Sequence, residues 1–133
     1  MLIKGLMVEG IGRFAKAARI GPRDPGRWTW LDGRGHALIL LRRDEEATRS
    51  LIEAIDANPR SFGSYAFLAA AYALLGRSDD ARIAFASFDR QHPGTRISTF
   101  RTRSPVPLTL TSPVYQWQLE RLKEGLRKAG MPE

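Results

Sequence analysis

The chain has 133 residues, enough for about one domain, and its 43% hydrophobic and 26% charged residues are typical of a folded globular protein. It contains no cysteine, which excludes disulfides, thiol nucleophiles and thiolate metal ligands. The net charge of +7 is concentrated at the two ends, because residues 25–60 and 61–94 each contain equal numbers of acidic and basic side chains.

The sequence gives no indication of a membrane span or a secretion signal. The longest apolar run, Ala66–Leu75, is about half as long as the roughly 20 residues that a membrane-spanning helix needs. The opening residues lack an uninterrupted apolar segment, because Glu9 and three glycines interrupt them. We therefore expect a cytoplasmic protein.

Helix-forming stretches alternate with breakers along the whole chain. Residues 2–20 carry apolar side chains three and four apart and end at a Gly-Pro pair, so they predict a first helix. A second helix is expected from about Pro25 or Gly26 to Leu41, with Gly33 and Gly35 leaving room for a neighbouring backbone. The remaining expected elements are helices at 44–58, 61–76 and 78–91, a surface linker at 95–111 with a short turn at 95–100, and a helix at 112–130.

Asp44 and Ser78 are the predicted N-caps of the third and fifth helices. The acidic pairs that follow them are interpreted as compensation of the helix dipole rather than as acid-base catalysts, and they are Glu45, Glu46, Asp79 and Asp80. On the third helix, spacing of three and four predicts one buried face, with Ser50 among the residues that point outward.

A set of landmarks recurs along the chain at a nearly constant interval. The set Ala81, Phe85, Phe88 and Pro93 follows Ala47, Leu51, Ala54 and Pro59 at a uniform offset of 34, and those follow Gly10, Phe14, Ala17 and Pro22 at an offset of 37. A period of 34 with small and large residues at these positions resembles the tetratricopeptide repeat over about residues 1–94. The middle unit departs from that pattern at Arg34, where an apolar residue is usual.

The resemblance implies an all-α fold, a right-handed tetratricopeptide-like solenoid of helical hairpins. Its single domain would divide into a half repeat at 1–24, repeats at 25–60 and 61–94, a linker at 95–111 and a capping helix at 112–130. The segments GPRDPGRW, FLAAAYALLGR and LKEGLRKAGMPE also resemble the C-terminal repeat region of bacterial class III adenylate or guanylate cyclases and related regulators. The catalytic and DNA-binding domains of those proteins have no counterpart in this sequence, so cyclase activity is not expected.

In tetratricopeptide arrays the first helices of the repeats line a concave groove. By that resemblance, the groove residues are Asp32, His36, Ile39, Ala66, Phe67, Ala70 and Ala73. Their small and apolar character favours an apolar helix or an extended peptide as ligand. The alternative is that the C-terminal segment from Pro105 to Leu126 folds back and fills the groove itself.

These features favour a non-enzymatic protein-interaction module that needs no cofactor or metal. Because the array begins with the second helix of a unit, its first apolar stripe lacks a partner within its own hairpin. We therefore expect homodimerisation, or docking on another protein, through Leu2, Leu6, Met7 and Phe14.

The two histidines, His36 and His92, are expected to be ordinary surface or loop residues. Asp32 and His36 are four residues apart on one helical face, so an ion pair or a pair of metal ligands is the alternative, although two ligands make a poor metal site. Trp28 and Trp30 are interpreted as packing residues, with an aromatic anchor for a partner as the alternative.

Nucleic-acid binding is the second functional hypothesis, because basic residues cluster at the chain ends. No motif for base recognition supports it. The residues concerned are Lys4, Arg13, Lys16, Arg19, Arg96, Arg101, Arg103, Arg121, Lys123, Arg127 and Lys128.

Overall fold

The structure, a computed structural model, describes residues 26–61, 63–100 and 113–133. Five helices are found there, and the described residues contain no strand, so the expected all-α class is confirmed. The helices are α1 (Arg27–Leu40), α2 (Asp44–Ala57), α3 (Ser64–Leu74), α4 (Ser78–Gln91) and α5 (Pro113–Ala129). None of the helices in these ranges is long and apolar enough to cross a membrane. The predicted helix at 2–20 lies outside the described residues.

The helices pack as two hairpins and one additional helix. Helix α1 packs on α2, and α3 packs on α4, while α2 also contacts α3 and joins the two hairpins. Helix α5 packs mainly on α3, with smaller contacts to α1 and α4. The short turn expected at 95–100 is present, because Phe100 donates its backbone N–H to the Arg96 carbonyl oxygen at 2.8 Å.

The turns that close the two hairpins share one geometry and lie one repeat period apart. Arg42 has φ 62° and Gly76 has φ 79°, so each turn places one residue in the left-handed region. Arg43 and Arg77 then donate their backbone N–H groups to a carbonyl oxygen five residues earlier, at 2.9 Å in both turns. This is the Schellman arrangement that satisfies the last carbonyls of a helix.

The predicted N-caps Asp44 and Ser78 are wrong by one position, because each is the first residue of its helix. The N-cap positions belong to Arg43 and Arg77, whose carbonyl oxygens accept the first backbone bonds of α2 and α4. Neither N-cap makes a side-chain capping bond. The Asp44 carboxylate is thereby available for another partner, described below.

The buried stripes of α2 and α4 follow the predicted spacing, and their buried members are Ala47, Leu51, Ala54, Ala81, Ala84 and Phe88. The expectation that Ser50 points outward is wrong. Its side chain is fully buried and donates a hydrogen bond to the Leu31 carbonyl oxygen of α1 at 2.8 Å. The close approach expected at Gly35 is present, because a Cβ atom there would lie 2.5 Å from the Leu51 Cγ atom. The α1 backbone at Gly35 therefore lies directly against the Leu51 side chain of α2.

Candidate functional site

The seven predicted groove residues lie together on α1 and α3, and we call this surface the α1/α3 face. It consists of Asp32, His36 and Ile39 on α1, and Ala66, Phe67, Ala70 and Ala73 on α3. Ala73 is half-buried, and the other six residues are buried. The face is therefore not an open groove in this structure.

Helix α5 lies close against this face beside Gly125. A Cβ atom at Gly125 would lie 2.9 Å from the Ala70 carbonyl oxygen and 3.0 Å from the Leu74 Cγ atom. Leu122 and Leu126 flank the glycine and are 2% and 1% exposed. The sequence allows two occupants of the groove, and in this structure the chain's own C-terminal helix is the one in place.

Arg121, in the middle of α5, joins this helix to the residues on either side of the turn between α1 and α2. Its guanidinium donates two hydrogen bonds to the Asp44 carboxylate, at 2.9 and 2.5 Å, and a third to the Ile39 carbonyl oxygen at 2.8 Å. Both side chains of the ion pair are largely buried. Arg121, which the sequence suggested as a phosphate contact, is therefore used inside the protein.

The residues that follow α5 are also held in place. The Ile97 backbone N–H donates to the Pro132 carbonyl oxygen at 2.8 Å, and the Ser98 hydroxyl donates to the Glu133 carbonyl oxygen at 3.0 Å. At the other end of this segment, the Phe100 ring packs edge-on against Phe67, with 5.8 Å between centroids. The segment 97–100 thus joins the end of the chain to the α1/α3 face.

Asp32 bonds to α3 rather than to its neighbour on α1. The Ser64 hydroxyl donates to the Asp32 carboxylate at 2.6 Å. Burial raises the pKa of Asp32 from 3.8 to about 6, and the bond from Ser64 opposes this shift. Close to neutral pH, this side chain gains or loses a proton inside the helix interface.

His36 is fully buried, so the expectation of a surface residue is wrong for it, whereas His92 is half-buried at the end of α4. The imidazole stacks on the Phe67 ring, with 4.7 Å between centroids and planes 12° apart. Neither ring nitrogen has a hydrogen-bond partner, so the ion pair with Asp32 is not formed. Burial lowers the pKa of His36 from 6.5 to about 4, and the ring is neutral at pH 7.

The described cations near the C-terminus have carboxylate partners. Lys123 pairs with Glu120 at 3.3 Å, Lys128 pairs with Glu124 at 3.3 Å, and Arg127 pairs with Glu133. An open cavity of about 390 Å³ beside α5 is lined by both basic and acidic side chains. Its lining residues are Arg42, Leu74, Glu120, Arg121, Glu124, Arg127 and Lys128. This surface carries little unbalanced positive charge for a phosphate backbone.

The predicted acidic pairs lie in the first turns of α2 and α4, where Glu46 pairs with Arg43 and Asp80 pairs with Arg77. These positions agree with compensation of the helix dipole. Within residues 26–61, 63–100 and 113–133, no three His, Asp or Glu side chains come close enough to hold a metal ion.

Trp28 and Trp30 lie on α1, near its beginning. Trp28 is half-buried, and Trp30 is 40% exposed. The interpretation as packing residues therefore describes Trp28 better than Trp30.

Four predicted self-association residues lie outside the described residues, and they are Leu2, Leu6, Met7 and Phe14. The same holds for the basic residues Lys4, Arg13, Lys16, Arg19, Arg101 and Arg103. The roles proposed for them from sequence remain predictions.

Sequence reasoning missed Arg121, Gly125 and Asp44 as the residues that seat α5. One signal was present: Gly125 lies within a predicted helix between Leu122 and Leu126, where a glycine is unfavourable unless a neighbour comes close. The partner of Arg121 could not be predicted from residue spacing, because Asp44 lies 77 residues earlier in the sequence. Comparisons of the chain with protein-family models, with curated proteins and with solved structures find no match.

Proposed function

We propose that this chain is a non-enzymatic protein-interaction module of the tetratricopeptide type, which binds a helical segment of its partner on the α1/α3 face. One observation carries the proposal: a helix, α5, already lies against this face through apolar contacts, and a buried ion pair with Asp44 of α2 helps to hold it there. The recurrence of the hairpin turn after one repeat period supports the assignment to this repeat class. Binding would require α5 to leave the face.

The composition of the face agrees with this role. Three of its seven residues are the alanines Ala66, Ala70 and Ala73, and such small side chains let a guest helix approach closely. The recognition of an amphipathic helix by such a surface relies on a few apolar anchors at spacing of three and four. The buried positions 122, 126 and 129 of α5 have this spacing.

A reversible disulfide bond between α3 and α5 tests the proposal. The variant Ala70→Cys with Gly125→Cys introduces the chain's only cysteines, at positions whose Cβ atoms would be 3.1 Å apart. A shift of a few tenths of an ångström brings them to the roughly 3.5 Å at which disulfides form. Oxidation would then hold α5 on the face. Reduction would release it, and the added Cβ atom at position 125 would favour its departure.

Capture from native lysate should differ between the two redox forms of this variant. We expect at least one protein to bind the reduced form in stoichiometric amount and to be absent from the oxidised form. The matched serine control, Ala70→Ser with Gly125→Ser, should capture the same protein under both conditions. Equal capture by the oxidised and reduced cysteine forms would contradict the use of this face.

Among the described residues named for the nucleic-acid hypothesis, Arg121, Lys123, Arg127 and Lys128 have acidic partners, whereas Arg96 is exposed. The hypothesis is tested by fluorescence anisotropy with labelled single- and double-stranded oligonucleotides at increasing salt. Tight binding with a steep loss of affinity as salt rises would support it.

A further inference from the structure

We propose that the partner presents an α-helix with the pattern Arg-Leu-x-x-Gly-Leu, where x is any residue. This helix replaces α5 on the α1/α3 face. The inference rests on the proposed function and names the chemistry of its ligand. Helix α5 provides the template, in the residues Arg121, Leu122, Gly125 and Leu126.

The arginine is required by the buried acceptors at the end of the face. Asp44 is 7% exposed, and its carboxylate accepts both bonds of the bidentate pair with Arg121. An occupant without this cation would leave Asp44 buried and unpaired, which is strongly unfavourable. A lysine can supply the charge but cannot also reach both carboxylate oxygens and the Ile39 carbonyl in this fixed geometry.

The glycine is required because the nearest obstacle is backbone. A Cβ atom at position 125 would lie 2.9 Å from the Ala70 carbonyl oxygen, which belongs to the middle of α3 and cannot rotate away. Leu74 closes the other side at 3.0 Å. Any other residue at this position would move the guest helix away from the face.

The two leucines supply the apolar contact. Leu122 and Leu126 are 2% and 1% exposed, whereas Glu124 and Arg127 on the same helix are exposed. Fully burying a leucine side chain greatly favours docking, so the pair accounts for much of the seating of α5. The face therefore places no requirement on the residues at the exposed positions of a partner helix.

Helix α5 is joined to the rest of the described fold through the segment 101–112. Because α5 belongs to the same chain as the face, its docking is intramolecular and is favoured over the docking of a free helix at low concentration. A free helix with the same contacts therefore competes poorly with α5. Weakening α5 within the chain should raise the affinity for such a helix by the same factor.

The test uses the full chain with Gly125→Leu and a labelled peptide of residues 113–133 with the wild-type sequence. The substitution should weaken the seating of α5, and it lies on α5 rather than on the face. We expect the variant to bind the peptide at least about tenfold more tightly than the wild-type chain does, measured by fluorescence anisotropy. No binding by a folded variant would overturn the proposal.

Peptide variants test each element of the ligand pattern separately. Arg121→Lys and Gly125→Ala in the peptide should each weaken binding about tenfold or more, whereas Glu124→Gln, on the exposed side, should leave it unchanged. Equal affinities for all four peptides would contradict the assigned pattern. If none of the peptides binds the Gly125→Leu chain while capture by the cysteine variant still depends on reduction, the ligand pattern is wrong and the proposed function stands.

The wild-type chain gives a second readout that needs no folded variant. With excess isotopically labelled peptide, hydrogen exchange of the chain's own α5 amides should accelerate while α1 and α3 stay protected, and unchanged exchange would overturn the proposal. A second copy of this chain is another source of the same helix. Sedimentation showing a wild-type monomer would exclude exchange of α5 between copies, whereas a dimer that dissociates on adding the peptide would overturn the assignment to a different protein in favour of α5 exchange.

Discussion

Arg121 and Asp44 form a bidentate ion pair between the last helix and the start of α2, with N–O distances of 2.9 and 2.5 Å. The Asp44 side chain is 7% exposed, and the Arg121 side chain is 18% exposed. Removing one partner of such a pair leaves a buried charge without compensation. The two residues therefore couple the seating of α5 to the stability of the first hairpin.

We expect Asp44→Asn to lower the free energy of unfolding by about 3 to 5 kcal/mol, the range seen when one partner of a buried pair is lost. Urea unfolding measures this value. The matched control is Glu120→Gln, which breaks an exposed pair with Lys123 and should cost at most about 1 kcal/mol. Adding Arg121→Leu to Asp44→Asn should recover part of the loss. A double variant as unstable as the sum of its singles would contradict the coupling.

Gly125→Ala should destabilise the docking of α5, although alanine is the better helix former by about 1 kcal/mol. The added Cβ atom would lie 2.9 Å from the Ala70 carbonyl oxygen, so the contact overrides helix propensity. Hydrogen exchange should show faster exchange of the α5 amides than in the wild-type chain. Glu124→Ala, on the exposed side of the same helix, is the control. Unaltered protection of α5 in Gly125→Ala would show that the two helices are less closely fitted.

His36→Phe should be neutral or stabilising at pH 7, because the imidazole stacks on Phe67 and both of its nitrogens lack partners. The folded-state pKa is about 4, below the usual 6.5, so the unfolded chain binds more protons between these values. Protonation therefore lowers stability as the pH falls through this window. The advantage of the variant should grow from pH 6.5 towards pH 4 in chemical unfolding. A constant difference across this range would contradict the burial of a neutral ring.

Asp32→Asn should show the opposite dependence on pH. The folded-state pKa of Asp32 is about 6, above the usual 3.8, so the folded chain binds more protons in between. The contribution of Asp32 to stability is therefore lost as the pH rises from 3.8 to 6. The asparagine keeps an oxygen acceptor for Ser64, so the variant should gain stability over the wild type across this window. Asp56→Asn, on the exposed side of α2, controls for the lost charge, and identical profiles for the two variants would contradict the assignment.

The two titrations act against each other in the wild-type chain. Between pH 4 and 6, His36 makes the fold more stable as the pH rises, and Asp32 makes it less stable. The contribution of the pair to the pH dependence is thus smaller than that of either residue. Only the single variants separate the two effects.

The hairpins were predictable from sequence because their signals are local. The predicted helix from about Gly26 to Leu41 appears as Arg27–Leu40, and the stripe containing Leu51 is buried as its spacing requires. These features depend on periodicity and on turn residues, which a single sequence displays directly. The close approach at Gly35 could be anticipated for the same reason.

The polar contacts between helices could not be predicted, because they depend on how the helices are arranged in space. Ser50 was expected on the surface, yet it bonds to α1, and His36 was expected outside, yet it lies under Phe67. The helical period assigns each of them to a face but does not say which faces a later helix covers. The pairing of Asp44 with Arg121 depends entirely on the position of α5.

The order of elements along the chain has a consequence for protein synthesis. The helices α1 and α3 that form the face precede α5, which ends at Ala129, well after α3 ends at Leu74. At synthesis rates of about 5 to 20 residues per second, the ribosome needs roughly 3 to 11 s to pass from the end of α3 to the end of α5. During that time every nascent chain has a face without its own helix. The partner helix proposed above would therefore meet no competition from α5 during this interval.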